Sequence, residues 1–229
     1  SAPVLGASTL PVRVRILLAA LIAWLLPVLP GAPAVDLLSG EALLISIYQI
    51  LIGVAMGFIL QLVFAVFVVA GQNIAMAMGL GFASAVDPQN GVQVPVVSQA
   101  FLILVTLVFL ALNGHLLLIE LLADSFRLLP VGVLRPEPDQ LWQIALWGSY
   151  MFAGGLLVAL PAVTGLLLVN IAFGVAARAS PQLNIFAVGF PVMILAGFLL
   201  ILVLLPGVGD HLGDMMSDAF QLMRQLLVN

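Results

Sequence analysis

The chain has 229 residues, 64% of them hydrophobic and 7% charged, with a net charge of −4. A soluble domain carries about 25% charged residues, so a water-facing shell cannot be built here, and the excess apolar surface must face lipid or other apolar subunits. The acidic balance excludes a basic nucleic-acid surface, and the lack of cysteine excludes a disulfide framework, thiolate metal sites and cysteine nucleophiles.

The first residues, Ser1 to Pro11, contain Pro3, Gly6 and Pro11 and read as a loop. They lack an initiator Met and the basic and apolar regions of a signal peptide, so the chain is expected to start inside a longer one. The first apolar run is Ile16 to Leu29, behind Arg13 and Arg15 and ended by Pro27, Pro30 and Pro33. It is short against the roughly 20 residues a helical span needs.

The second run, Ala42 to Ala70, is uncharged, and Gln49 and Gln61 are its only strongly polar members. As a helix it would reach roughly 40 Å, more than the hydrocarbon core of about 30 Å. Gly53 and Gly57 form a GxxxG pair, which lets another helix come close. From Gly71 to Gln93 the chain turns rich in Gly, Ala, Ser and Met, with a turn signal at Asp87-Pro88-Gln89-Asn90-Gly91. Helix is disfavoured there. Gly79, Gly81 and Ala83 are small, and Phe82 is the one large ring among them. Irregular backbone survives at membrane depth only when buried in protein or lining a wet cavity, which makes this stretch the first candidate for function.

A third run, Val94 to Leu112, stops at Asn113-Gly114-His115, and helix is expected again from Leu116 to Leu128. Glu120, Asp124 and Arg127 share a face of that helix. Asp124 and Arg127 read either as a local ion pair at a helix end or as a proton relay. After a proline-rich loop, Pro130 to Pro138, the fourth run extends from Leu141 to Ala177 and is too long for one straight span. Breaks are expected at Gly154-Gly155 and Pro161. A fifth run, Leu183 to Leu205, carries Pro191 and is expected to stop at Pro206-Gly207. The tail, residues 209–229, places Leu212, Met216, Ala219 and Met223 opposite Asp210, Asp214, Asp218 and Arg224, the pattern of an amphipathic helix.

Known chemistry is missing. His115 and His211 are isolated, and no HExxH, GxSxG or phosphate-binding glycine loop occurs. No cofactor and no metal site are expected, and the chain does not read as an enzyme. Six polar residues lie within or beside apolar runs: Gln49, Gln61, Gln72, Asn73, Gln99 and Asn170. They read as interhelical hydrogen bonders or, for Gln72 and Asn73 beside the glycine-rich break, as the lining of a conduit. Asn113, His115, Arg178 and Asn184 carry the same two readings. Met76 and Met78 are core, or a deformable seal, since Met adapts to irregular surfaces.

The blocks MGLGFASAVDP (Met78 to Pro88), FLALNGHLLLIELLADSFRLLPVG (Phe109 to Gly132), ALPAVTGLLLVNIAFGVAARASPQLNIFAVGFP (Ala159 to Pro191) and the closing LP-G at Leu205 to Gly207 occur in this order. Together they resemble the R-subunit (FliR/SctT) family of bacterial type III export gates, with Pro181, Gln182, Asn184 and Phe186 favouring its flagellar branch. The resemblance runs from Ser1 to the tail. It implies an all-α membrane protein whose long, kinked apolar helices form stacked hairpins within a helical, hetero-oligomeric assembly. It implies the P and Q subunits, and further flagellar export membrane proteins, as partners. Unfolded polypeptides are the implied cargo, lipid the surroundings, and the basal body in the bacterial inner membrane the location. It also implies a helical segment ahead of the SAP motif.

In that family a loop of the R subunit plugs the channel. By motif position the plug maps onto residues 78–93, with Met76, Met78, Gly79, Gly81, Phe82, Asp87 and Pro88 as the candidate gate residues. One alternative remains open from the residues alone: a secondary transporter for a small solute, its midplane site built at helix breaks at Gly71 to Gly91 and Pro161. No clear internal symmetry of the transporter kind is visible.

Overall fold

The computed structural model describes residues 11–25, 36, 39–81, 96–130, 138–179 and 185–228. Within them the chain forms six α-helices and no strand. They are α1 (Val12–Leu25), α2 (Gly40–Ala77), α3 (Val96–Ala111), α4 (Gly114–Leu128), α5 (Pro138–Ala179) and α6 (Ile185–Val228).

Helix α2 starts where Ser39 caps it: the Ala42 amide donates to Ser39 Oγ at 3.1 Å. Such a side chain satisfies one of the amides that a helix start leaves unpaired. Beyond Glu41 the helix holds no charge and no proline, and it runs 38 residues, about 57 Å. It continues through Gly71 to Ala77, where composition disfavours helix. Packing overrides that preference: Ile74 and Ala75 are buried, and Gly71 lies against the backbone of α3. A Cβ on Gly71 would sit 2.7 Å from Ser98 Cα, so only glycine lets the two helices meet at this depth.

The two long C-terminal runs also differ from expectation. Helix α5 is continuous across Gly154, Gly155 and Pro161, for 42 residues, and α6 is continuous across Pro191 and Pro206, for 44. Each internal proline removes one backbone hydrogen bond and crowds the preceding turn. Pro161, Pro191 and Pro206 are all exposed. The expected break does occur between α3 and α4. Asn113 adopts the left-handed conformation (φ 57°, ψ 25°), its amide closes α3 on the Leu110 carbonyl, and its own carbonyl accepts from Leu116 and Leu117 to start α4. The two helices bend by 65° there.

The chain forms two compact units. The first comprises residues 1–63, 109–149 and 214–229. Ile59, Leu60, Phe109, Leu121, Met216, Ala219 and Met223 are its buried core. Gly114 is in contact with the Phe109 ring, and a Cβ added to it would lie 2.6 Å from Met216 Cε. Gln140 Nε2 donates to the Leu226 carbonyl at 3.5 Å, linking the start of α5 to the end of α6. In α4 the Asp124–Arg127 pair is 3.6 Å apart, with the Arg127 side chain 68% exposed. An ion pair so open to solvent adds at most a few tenths of a kcal/mol.

The second unit comprises residues 64–108 and 150–213. Its core is Phe64, Phe67, Ile74, Met78, Phe101, Val105, Ala159 and Leu166. Small residues set the helix approaches. A Cβ on Gly155 would lie 2.7 Å from Val69 Cγ1, and one on Gly165 would lie 2.9 Å from Leu200 Cδ1. Ser98 Oγ donates to the Val68 carbonyl at 3.0 Å, a polar tie across the α2–α3 seam. Of the GxxxG pair, Gly57 is buried, while Gly53 is exposed with no described atom within 4 Å of its added Cβ.

Three helices, 38 to 41 residues long in their apolar stretches, are long and apolar enough to cross a membrane, and the bent α3–α4 pair makes a fourth if it is one broken span. Half of the most apolar window of α2 is buried inside the chain, against 22% for α5 and 11% for α6. The fold is therefore that of an all-α membrane protein, and the most apolar windows of α5 and α6 lie largely on the outside of the chain.

Candidate gate segment

Helix α2 ends in a motif readable atom by atom. The Leu80 amide donates to the Ala75 carbonyl at 3.0 Å and the Gly79 amide to the Met76 carbonyl at 3.0 Å. With Gly79 left-handed at φ 84°, these are the two bonds of a Schellman cap. A residue with a Cβ resists that conformation, so Gly79 is the residue that stops α2 and turns the chain.

Four candidate gate residues meet here, all in the second unit. Met78 is fully buried, packed into the space over Gly197 of α6. Gly79 faces the ring of Phe190, which would be 3.7 Å from an added Cβ. Met76 points the other way, 60% exposed, and its thioether lies against Gly81. The two methionines thus divide: Met78 is core and Met76 is available to a neighbour. Phe82, Asp87 and Pro88 lie outside the described residues.

The polar candidates do not form one cluster. Gln72 is exposed and Asn73 half-buried on α2, within two turns of Gly79. Arg178 is exposed in the last turn of α5, where a cation suits the helix's negative end. Asn113 and His115 belong to the first unit, at the α3–α4 bend. His115 is half-buried, and its Nδ1 is buried without a hydrogen-bond partner among the described residues. Asn184 lies outside them. Among the described residues no group of three or more His, Asp or Glu side chains is placed to hold a metal.

Sequence reasoning missed Gly197 and Phe190. Gly197 is a single glycine inside an apolar run, and no spacing links it to Met78, some 120 positions earlier. A GxxxG pair carries a readable signal, whereas a single glycine holding one distant side chain carries none.

Comparison with known proteins places these features in a lineage. The family profile described as "Bacterial export proteins, family 1" matches residues 1–219. The protein named "Flagellar biosynthetic protein FliR" of Escherichia coli (strain K12) is 39% identical over 229 residues, covering 99% of this chain and 87% of its own. The protein of the same name from Pectobacterium carotovorum subsp. carotovorum is also 39% identical, with the same coverage. That of Bacillus subtilis (strain 168) is 31% identical over 188 residues, 81% of this chain and 73% of its own.

Proposed function

The chain belongs to family 1 of the bacterial export proteins, and from that membership we propose the part it plays in moving protein. It is a subunit of the flagellar export apparatus, in the inner membrane at the flagellar basal body, where it associates with other export proteins. The small-solute transporter reading is not favoured: relatives at up to 39% identity carry the flagellar name, and α5 has no break at Pro161 from which to build a midplane site.

Within the apparatus, the segment 78–93 closes the channel at rest and yields to an unfolded polypeptide. Its partners are the P and Q subunits, whose helices cover the outward apolar faces of α5 and α6. The observation that carries this reading is the left-handed stop at Gly79, reached after 38 residues of apolar helix and seated on a buried methionine. A fixed root followed by a small-residue stretch suits a closure that must move while the helices around it do not. Phe82 and Met76 supply apolar bulk for a dry constriction, which excludes ions because dehydrating them is costly. Catalysis is not required of the subunit, and the energy for export comes from elsewhere.

Deleting Gly79 to Ser84 tests the closure. The expected outcome is a membrane that leaks small ions while the complex still assembles. An unchanged leak with normal assembly overturns the assignment.

A further inference from the structure

We propose that Met78 and Gly197 form a clasp that fixes where the chain leaves α2, making Gly197 a positioning residue for the gate. This rests on the closure reading above and adds to it the contact that holds the closure's root. Met78 has none of its surface exposed. A Cβ on Gly197 would lie 2.6 Å from both Met78 Sδ and Met78 Cε, so the thioether fills the volume that a side chain at 197 would need. Seven residues away, Phe190 of α6 lies against Gly79. Positions 190 and 197 are two helical turns apart and share a face, so one face of α6 grips the two consecutive residues that follow the end of α2.

The second of those residues is the left-handed one. Gripping it sets the direction in which the chain departs, because a Schellman turn has a fixed geometry once its glycine is placed. The outward thioether, Met76, then packs against Gly81 on the departing chain. The hold is steric and carries no hydrogen bond or charge, so it responds to volume. An unbranched thioether in a hole without a Cβ is readily displaced by added bulk. Pro191, beside Phe190, donates no backbone hydrogen bond, which leaves this turn of α6 with one tie fewer than its neighbours.

The experiment exchanges volume between the two positions in the full chain within its assembled membrane complex. Gly197→Val expels the thioether, Met78→Ala empties the hole, and the double variant refills the hole from the other side. Resting leak of small ions is expected to rise roughly tenfold in each single variant, as a dry constriction loses its seal, and to return close to the wild-type value in the double. If Gly197→Val does not assemble, Met78→Ala still decides, because it removes bulk without adding any. An assembled Met78→Ala complex that is tight at rest overturns the clasp, and so does a double variant that leaks like the singles. The Gly79 to Ser84 deletion separates the two ideas. A leaking deletion beside tight Met78 and Gly197 variants removes the clasp and keeps the closure, whereas a tight deletion removes the closure itself.

Discussion

At Gly79 the backbone asks for a conformation that a side chain resists. The residue sits at φ 84° and donates one of the two capping bonds, to Met76. Space is not the constraint, since the nearest atoms to an added Cβ, in Phe190, are 3.7 Å away, an ordinary contact. Gly79→Ala is therefore expected to cost about 1–2 kcal/mol through the left-handed backbone alone, read as a lower unfolding midpoint of the detergent-extracted complex. Gly197 reverses the logic: it lies inside a regular helix and is glycine because Met78 occupies its side-chain volume. Of these two residues, Gly79 was legible beforehand, because small residues and turn signals cluster after it. Gly197 was not, because a steric hole is defined by the residue that fills it.

At the scale of elements, one helix break fell where the residues put it and three others did not occur. Asn113-Gly114 breaks the α3–α4 pair because Asn tolerates the left-handed region and Gly114 leaves room for Phe109 and Met216. Asn113→Gly is expected to keep the 65° bend at little cost. Asn113→Val is expected to lose about 1–2 kcal/mol, since a β-branched residue is poorly accommodated there. Comparing the yields of folded, extractable protein for the two variants tests this, and equal yields would count against it. Pro161 and Pro206, by contrast, sit inside continuous helices. A proline within a long apolar helix loses one hydrogen bond, and its neighbours and local adjustments absorb the loss. Helix propensity misjudged residues 71–77 for a related reason: a glycine that is weak in isolation is what permits α2 to meet α3.

For the whole molecule, the unresolved question at the sequence level was which apolar surface stays outside. Along α6, Leu195, Phe198, Leu199, Leu202 and Val203 are exposed, and further on Asp210, Asp214, Ser217, Asp218 and Gln221 are exposed. The outward surface of this one helix changes from apolar to polar within two turns of Pro206. Leu199→Arg is expected to cost about 2.5–3.5 kcal/mol wherever that position faces lipid, and as much or more against an apolar partner, which leaves the charge unpaired. Ser217→Arg on the same helix is expected to be near neutral. The amount of each variant retained in membranes in assembled form is the measurement, and equal retention would show that the apolar stretch is uncovered.

Composition and run length by themselves determined that this is an all-helical membrane chain, and ordered motif blocks determined its export family. Both are properties of single segments, summed along the chain. Only the tertiary structure decided that α5 and α6 run unbroken through their prolines, that Met78 is core while Met76 faces outward, and that Met78 fills the space a side chain at Gly197 would need. Those outcomes depend on which side chains from distant segments compete for one volume, and no window of sequence contains both competitors.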